Sequence, residues 1–497
     1  MTHKMTCLLP WLMVIVTARG GEWPGFRGPH GNGVAENEKP PICFNESSNL
    51  LWKTELGTGL SCPVIWKGQV FVTAADAKEK KLTTLCLDSK TGKQRWGKDI
   101  AVEKMEPVHK VNSQATSTPV TDGKALYVYF GSFGLVAYDL SGKELWQKPL
   151  PMPKTFMNQG TGTSPILADD KLLVFVQIGS DSHILAVNPA DGHELWRAAM
   201  PFYNNSYGTP ASWHEDGKGF AGITCATRFI AFDLADGKEA WWVDGMGFQA
   251  CSTPVVVGER LIVSAAGALG EPSNTTPPPE FEEFVKKYDA DGDGLINLEE
   301  IPATLLYADR QSTDGKGNMP MRMAFSMFGG VKKGEKLDRE KWEKIRGNLA
   351  NFKTGAMNKP VMVSVRTGGK GDVGKSHVVW KESKGVPEVP SPVVWKDRVY
   401  MIRSGGLLVC RELESGKLVY EERIDSPGIY FASPVAADGR IYVASDQGEV
   451  TVINAGDKLE VLTHNKLGDT IASSPAVADN ALYVRSTKTL WAFRSKD

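Results

Sequence analysis

Apolar runs of a few residues, each closed by a turn rich in Gly, Asp or Asn, follow one another along most of the chain. After Thr118-Pro119 comes a turn at Asp122-Gly123, then the run Ala125 to Phe130. A turn from Gly131 to Gly134 leads into Leu135 to Tyr138, and Ser141-Gly142-Lys143 reverses the chain into Glu144-Leu145-Trp146. β-Branched and aromatic residues dominate the runs, so the pattern predicts short antiparallel strands. The unit recurs. A small hydroxyl or thiol residue stands before a proline at Cys62-Pro63, Thr118-Pro119, Ser164-Pro165, Thr209-Pro210, Thr253-Pro254, Ser391-Pro392, Ser433-Pro434 and Ser474-Pro475. Successive prolines lie 56, 46, 45, 44, 138, 42 and 41 residues apart. Four strands in a repeat of about 45 residues predict one blade of a β-propeller per unit.

The outer half of the unit repeats in finer detail. It reads Leu87-Asp88…Gly92-Lys93…Trp96, then Asp139…Gly142-Lys143…Trp146, Asn188…Gly192…Trp196 and Asp233…Gly237-Lys238…Trp241. The Asp or Asn side chain caps a tight turn, the Gly takes its left-handed position, and the Trp suits a filler between blades. Later units wear down, to Glu412…Gly416-Lys417…Tyr420 and Asn454-Ala455-Gly456-Asp457. The last unit ends after Leu490 to Phe493, one strand short, and Leu50 to Leu56 ahead of the first unit has the form of the missing strand. Pairing the two would close the ring and leave no open edge. The expected fold is all-β, an eight-bladed propeller of four-stranded blades, with a small α-helical module in the fifth blade.

The Asp-x-x-Thr-Gly-Lys-x-x-Trp repeats resemble the PQQ-like repeat family of eight-bladed propellers. That family holds PQQ-dependent alcohol dehydrogenases and the non-enzymatic assembly protein BamB. Trp23-Pro24-Gly25-Phe26-Arg27-Gly28-Pro29 resembles the opening of many secreted bacterial members. The likeness spans about residues 22–270 and 360–497. It implies the fold, and leaves a dehydrogenase and a scaffold both open because one fold hosts both.

The 138-residue gap is where the period breaks. Residues 271–359 fit no blade, and they open on the Pro-rich stretch Pro272 to Pro279, a stiff spacer. Phe281, Phe284, Val285 and Tyr288 follow at helical spacing, then Asp289-Ala290-Asp291-Gly292-Asp293-Gly294-Leu295-Ile296-Asn297-Leu298-Glu299-Glu300. This matches an EF-hand calcium loop position by position. Asp289, Asp291, Asp293, Asn297 and Glu300 would supply side-chain oxygens and Leu295 its carbonyl to one Ca2+. A worn partner loop follows. Aligning Leu337 with Ile296 puts Gly330, Lys332, Gly334 and Lys341 on its ligand positions, so it should bind no ion.

The insertion leaves its blade between the second and third strands. That loop shares a face with the inter-blade loops, which carry Asn112, Gln114, Asn158, Gln159, Asn204, Tyr207, Gln249, Glu388, Tyr430 and Asp469. As a set around one channel mouth they are candidates for a ligand or cofactor site. PQQ would need a carboxylate base there, and Glu388 and Asp469 are the evident ones. The family's alcohol dehydrogenases commonly place two adjacent cysteines over the quinone, a pair this chain lacks.

Charge and targeting complete the picture. With 57 basic and 58 acidic residues, net −1, and no basic stripe, nucleic acid is not an expected partner. No apolar stretch reaches membrane-spanning length. His3 and Lys4 ahead of Leu8 to Val16, with Val16-Thr17-Ala18 after it, read as an export signal over residues 1–18. Cys7 heads the apolar segment and is not placed for lipid attachment, and the other six cysteines are scattered singly. The expectation is an exported periplasmic or extracellular scaffold whose rim docks a protein or polymer. The alternatives are a PQQ-dependent dehydrogenase and a calcium-gated carbohydrate or peptide binder.

Overall fold

The computed structural model describes residues 21–200, 205–267, 274–309, 319–354 and 359–495. Eight four-stranded sheets carry the chain, each an antiparallel meander, and seven of them run from the axis outward in chain order. Blade 1, for example, runs Val64–Trp66, Gln69–Asp76, Lys81–Asp88 and Gln94–Ala101. Blade 8 takes its outer strand from the other end of the chain: Leu50–Glu55 pairs antiparallel with Thr489–Arg494. The ring therefore closes as the truncated last unit leads one to expect. Two short strands go beyond the plan. Val34–Ala35 adds in parallel to the inner strand of blade 7, and Gly371–Asp372 adds in parallel to the outer strand of blade 4.

The core lies between blades, not at the axis. Middle strands are covered on both faces, so they read as unbroken apolar runs, and every residue of Ala125–Phe130 is buried. The repeat Trp and the repeat Gly are two halves of one contact. A Cβ on Gly92, Gly142, Gly192, Gly237 or Gly416 would come within 2.4–2.7 Å of Trp52, Trp96, Trp146, Trp196 or Trp380 of the preceding blade. Each of these glycines also has a φ of +69° to +88°, so both space and backbone demand Gly. The indole N–H of each Trp donates to a carbonyl of the same turn, as from Trp52 to Ser89 and from Trp146 to Pro189, both 2.8 Å.

Around the axis the marker residues form a belt. The backbone N–H of each donates to the side-chain oxygen of the next: Cys62 to Thr118 (2.9 Å), Thr118 to Ser164 (2.9 Å), Ser164 to Thr209 (3.0 Å) and Thr209 to Thr253 (3.2 Å). It continues from Thr253 to Ser391 (2.9 Å), Ser391 to Ser433 (2.9 Å) and Ser433 to Ser474 (2.8 Å). Ser474 lies beside the Cys62 thiol, whose pKa burial pushes up, and this brings the two ends of the belt together. The proline that follows each marker has no N–H, so it fixes the inner strand without adding a competing donor.

Residues 21–44 are folded into the ring from one end. Trp23 pairs with Ile65 of blade 1, and Phe44 packs against Phe493 of blade 8. The buried Arg27 guanidinium donates to the carbonyls of Pro392 (2.6 Å) and Asn32 (2.9 Å). Burial lowers its pKa to about 10, which still leaves it cationic at neutral pH.

The helical insertion leaves blade 5 after Arg260–Ala265, and the chain rejoins it at Val361–Arg366, which pairs with the same strand. It contains α1 (Phe281–Tyr288), α2 (Met321–Gly329) and α3 (Arg339–Thr354). Phe284, Ile296, Phe325, Leu337 and Trp342 pack in a cluster that includes no propeller residue.

Removing Leu50 to Leu56 should expose the outer edge of blade 8 and abolish a single cooperative melt, whereas trimming residues 495–497 should leave it unchanged. Scanning calorimetry of the two truncations checks this, and equal melts would refute closure by that strand. Ser433→Ala strands the buried Ser391 N–H and should cost about 1–3 kcal/mol by denaturant titration.

Candidate functional site

Two places bring polar side chains together, the acidic loop of the insertion and the loops before the markers. In the loop, Asp289, Asp291 and Asp293 can each direct one carboxylate oxygen to within 4.8 Å of the others. Backbone donors shape them. Asp289 accepts from Gly292 (2.9 Å) and Gly294 (2.8 Å), and Asp293 accepts from Leu295 (2.9 Å). Gly292 and Gly294 have φ of +71° and +77°, which side-chain-bearing residues rarely adopt. Glu300 reaches back across the loop to the N–H groups of Ala290 (3.0 Å) and Asn297 (2.9 Å), while Asn297 Oδ1 accepts from Glu299 (2.9 Å). All five side chains proposed from sequence therefore belong to one hydrogen-bonded turn.

The neighbouring loop completes this place. Ile296 and Leu337 exchange backbone hydrogen bonds, Ile296 N–H to Leu337 O at 3.0 Å and Leu337 N–H to Ile296 O at 2.7 Å. That pairing carries Lys336 to the acidic loop, where its ammonium contacts Asp291 Oδ2 at 3.0 Å and Asp293 Oδ2. The structure itself thus sets a cation between two of the three aspartates. No sequence pattern announces Lys336, because its reach depends on the pairing of the two loops. Between Glu300 and Leu306, where a short strand begins, the chain passes through Pro302 and forms no helix.

At the channel mouth most of the polar set is engaged within the fold. Asn112 Nδ2 donates to Gln159 O (2.8 Å) and Thr161 O (3.2 Å), and Gln114 Nε2 donates to Glu106 O (3.2 Å). The Tyr207 hydroxyl donates to Phe156 O (3.3 Å) and the Tyr430 hydroxyl to Ser426 O (2.7 Å). Gln249 of one inter-blade loop donates to Glu388 of the next at 3.2 Å. Asn158 is exposed, Gln159 and Asp469 are half-buried, and Asn204 lies outside the described residues. The insertion is rooted here, since Ala266 pairs with Gln249.

The mouth also holds a carboxylate that the sequence reading passed over. Glu106 is 1% exposed, and its Oε2 accepts from Thr161 N–H (3.0 Å) and Thr161 Oγ1 (2.8 Å). Its Oε1 is buried with no hydrogen-bond partner. Burial dominates over the two hydrogen bonds and raises its pKa to about 7. Gly131 makes room for it, since a Cβ there would lie 2.3 Å from Oε1. The available signal was an acidic residue in the polar loop ahead of Thr118, but only folding buries it.

Comparison with known proteins follows this geometry. The family model described as outer membrane protein assembly factor BamB matches residues 34–177, 180–275 and 426–497. A protein of that name from Shewanella oneidensis is 23% identical over 414 residues, covering 81% of this chain and 88% of its own. BamB from Moraxella catarrhalis superposes with a TM-score of 0.52 at 13% identity, over 89% of this chain and 99% of that one. A europium-containing methanol dehydrogenase does so with 0.56 at 12% identity, over 96% and 98%. At such identities the two structures share the fold with this chain, and that alone. No helix among the described residues is long and apolar enough to cross a membrane.

Glu106 gives a pH signature. Its carboxyl moves from an ordinary 4.5 to about 7 in the fold, so the folded chain holds this proton more tightly than the unfolded one. Its contribution is full below about pH 4.5, falls as pH rises towards 7 and levels beyond, a loss of at most about 3 kcal/mol. Denaturant titrations of wild type and Glu106→Gln across that range should show the slope in wild type and its disappearance in the variant.

Proposed function

The chain belongs to the family of the outer membrane protein assembly factor BamB, and on that footing we propose that it is an exported binding scaffold carrying one calcium ion in an EF-hand insertion. The observation that carries the scaffold half is the match to that family along the ring. The engagement of the mouth supports it too: Asn112, Gln114, Tyr207 and Tyr430 are bonded within the fold. PQQ would need polar groups free to hold it beside a carboxylate base, and of the two bases expected from sequence Glu388 already accepts from Gln249. Export rests on the sequence of residues 1–18, which lie outside the described residues.

The calcium half rests on the donor set. Three carboxylates gathered at Asp289, Asp291 and Asp293, with Asn297, Glu300 and the Leu295 carbonyl close by, suit a hard cation that takes six to eight oxygens. The Lys336 ammonium between Asp291 and Asp293 supports the same reading, because it marks the spot as one that needs positive charge. A bound ion would draw the loop oxygens inward and hold the two paired loops together. The separate hydrophobic cluster of the insertion makes this a local, structural role.

Cross-linking in the native cell envelope, read by mass spectrometry, should recover components that assemble outer-membrane proteins. Recovery of none, with dye-linked alcohol oxidation by protein incubated with PQQ and calcium, would replace the scaffold by a dehydrogenase. For calcium, calorimetry should find one ion per chain, and Glu300→Gln should weaken it more than about tenfold. Lys336→Met should tighten it, since the ion no longer has to displace an ammonium. Unchanged binding in Glu300→Gln would remove the site.

A further inference from the structure

The residue three places after the marker holds the same position on the inner strand of each blade. In three blades the chain's own N-terminal segment is seated on that position. Ile65 of blade 1 exchanges hydrogen bonds with Trp23 (2.9 and 2.8 Å), Thr121 of blade 2 donates to Pro24 O (2.9 Å), and Ala436 of blade 7 donates to Gly33 O (2.8 Å). At blade 7 the contact extends into the parallel strand Val34–Ala35. The equivalent residues of blades 3, 4 and 5 are Leu167, Ser212 and Val256. Their strands, Ile166–Ala168, Ala211–Glu215 and Val255–Val257, are sheet edges with no partner on the channel side among the described residues.

Exposure separates these groups, and the equivalent residues of blades 6 and 8, Val394 and Val477, are buried. Ile65, Thr121 and Ala436 are buried, whereas Leu167, Ser212 and Val256 are half-buried. Those three line one cavity of about 490 Å³ whose opposite wall is the segment Pro24 to Asn32. The N-terminal segment thus fills one side of the channel end and leaves a gap beside three consecutive free strand edges.

We propose that this gap takes an extended segment of a partner polypeptide, bound through main-chain hydrogen bonds to the inner strands of blades 3–5. This rests on the scaffold reading and names its partner chemistry. Free strand edges bind alternating N–H and C=O groups, which a polypeptide backbone supplies, and the chain's own Gly33 to Ala35 is bound in this manner two blades away. The lining holds no Lys, Arg, Asp or Glu, only His30 among ionisable groups, beside the hydroxyls of Thr209, Ser212 and Thr253. The occupant is therefore uncharged within the gap, with small side chains like Val and Ala.

The test uses the full chain and a capped hexapeptide of alternating Val and Ala as probe. Calorimetry should show saturable binding, and Ser212→Pro, which removes one edge donor without adding charge, should weaken it at least tenfold. Ser212→Trp fills the gap and should do the same, which keeps the test sound if the proline variant misfolds. Exchange mass spectrometry should show the probe slowing the amides of Leu167, Ser212 and Val256. No binding to wild type, binding unchanged in both variants, or protection elsewhere would overturn the proposal. So would saturable binding of a maltooligosaccharide in place of the peptide. If envelope cross-links persist while the peptide does not bind, the gap is wrong and the scaffold stands; if both fail, the scaffold reading falls with it.

Discussion

Everything in this molecule depends on a belt of backbone-to-side-chain hydrogen bonds around the propeller axis. A ring of eight blades has no central core, so each inner strand must be fixed to its neighbours by something other than hydrophobic contact. A small hydroxyl at one fixed position does this, from Cys62 to Thr118 and on to Ser474. Each link satisfies a buried N–H that would otherwise be costly, at a net gain of about 1 kcal/mol. The links are also geometrically coupled, because moving one blade breaks two of them. The Trp-on-Gly contacts repeat the same logic at the rim, where a large ring is seated on the one residue without a side chain.

A ring fixed at axis, rim and seam has little freedom left for chemistry within its blades. Its distinctive features are additions to that frame: an N-terminal segment laid into one end of the channel, an acidic loop on an insertion, and a buried carboxyl in one mouth loop. The first leaves the inner edges of blades 3–5 facing a cavity, and the second has its own hydrophobic cluster. Neither disturbs the belt. BamB from Moraxella catarrhalis and a europium-containing methanol dehydrogenase share this fold, so the frame by itself does not set a role.

The features legible in the sequence were those the repeat enforces. Marker residues stood out because every blade has a small hydroxyl or thiol residue at the same place, and Leu50 to Leu56 stood out because the final blade lacked a strand that Trp52 matched. The Asp289 to Glu300 loop was legible as a tight acidic turn because its Asp and Gly residues alternate at fixed spacing, the aspartates accepting from backbone N–H groups at the glycines. What had no period stayed hidden. Glu106 looked like any loop acid until Thr161 and the neighbouring blades enclosed it. Lys336 gained meaning only when Ile296 and Leu337 paired. The seating of Trp23, Pro24 and Gly33 on inner strands arises from tertiary contacts between residues far apart in the chain, most of all Gly33 and Ala436.

The central claim, that the belt makes the ring one cooperative unit while the insertion folds separately, is tested most directly by native-state amide exchange under increasing denaturant. The account predicts that the N–H groups of Thr118, Ser164, Thr209, Thr253, Ser391 and Ser433 exchange together, at the free energy of global unfolding. Those of Ile296 and Leu337 should exchange earlier, at a lower free energy of their own. Marker amides that open blade by blade, at separate free energies, would contradict it.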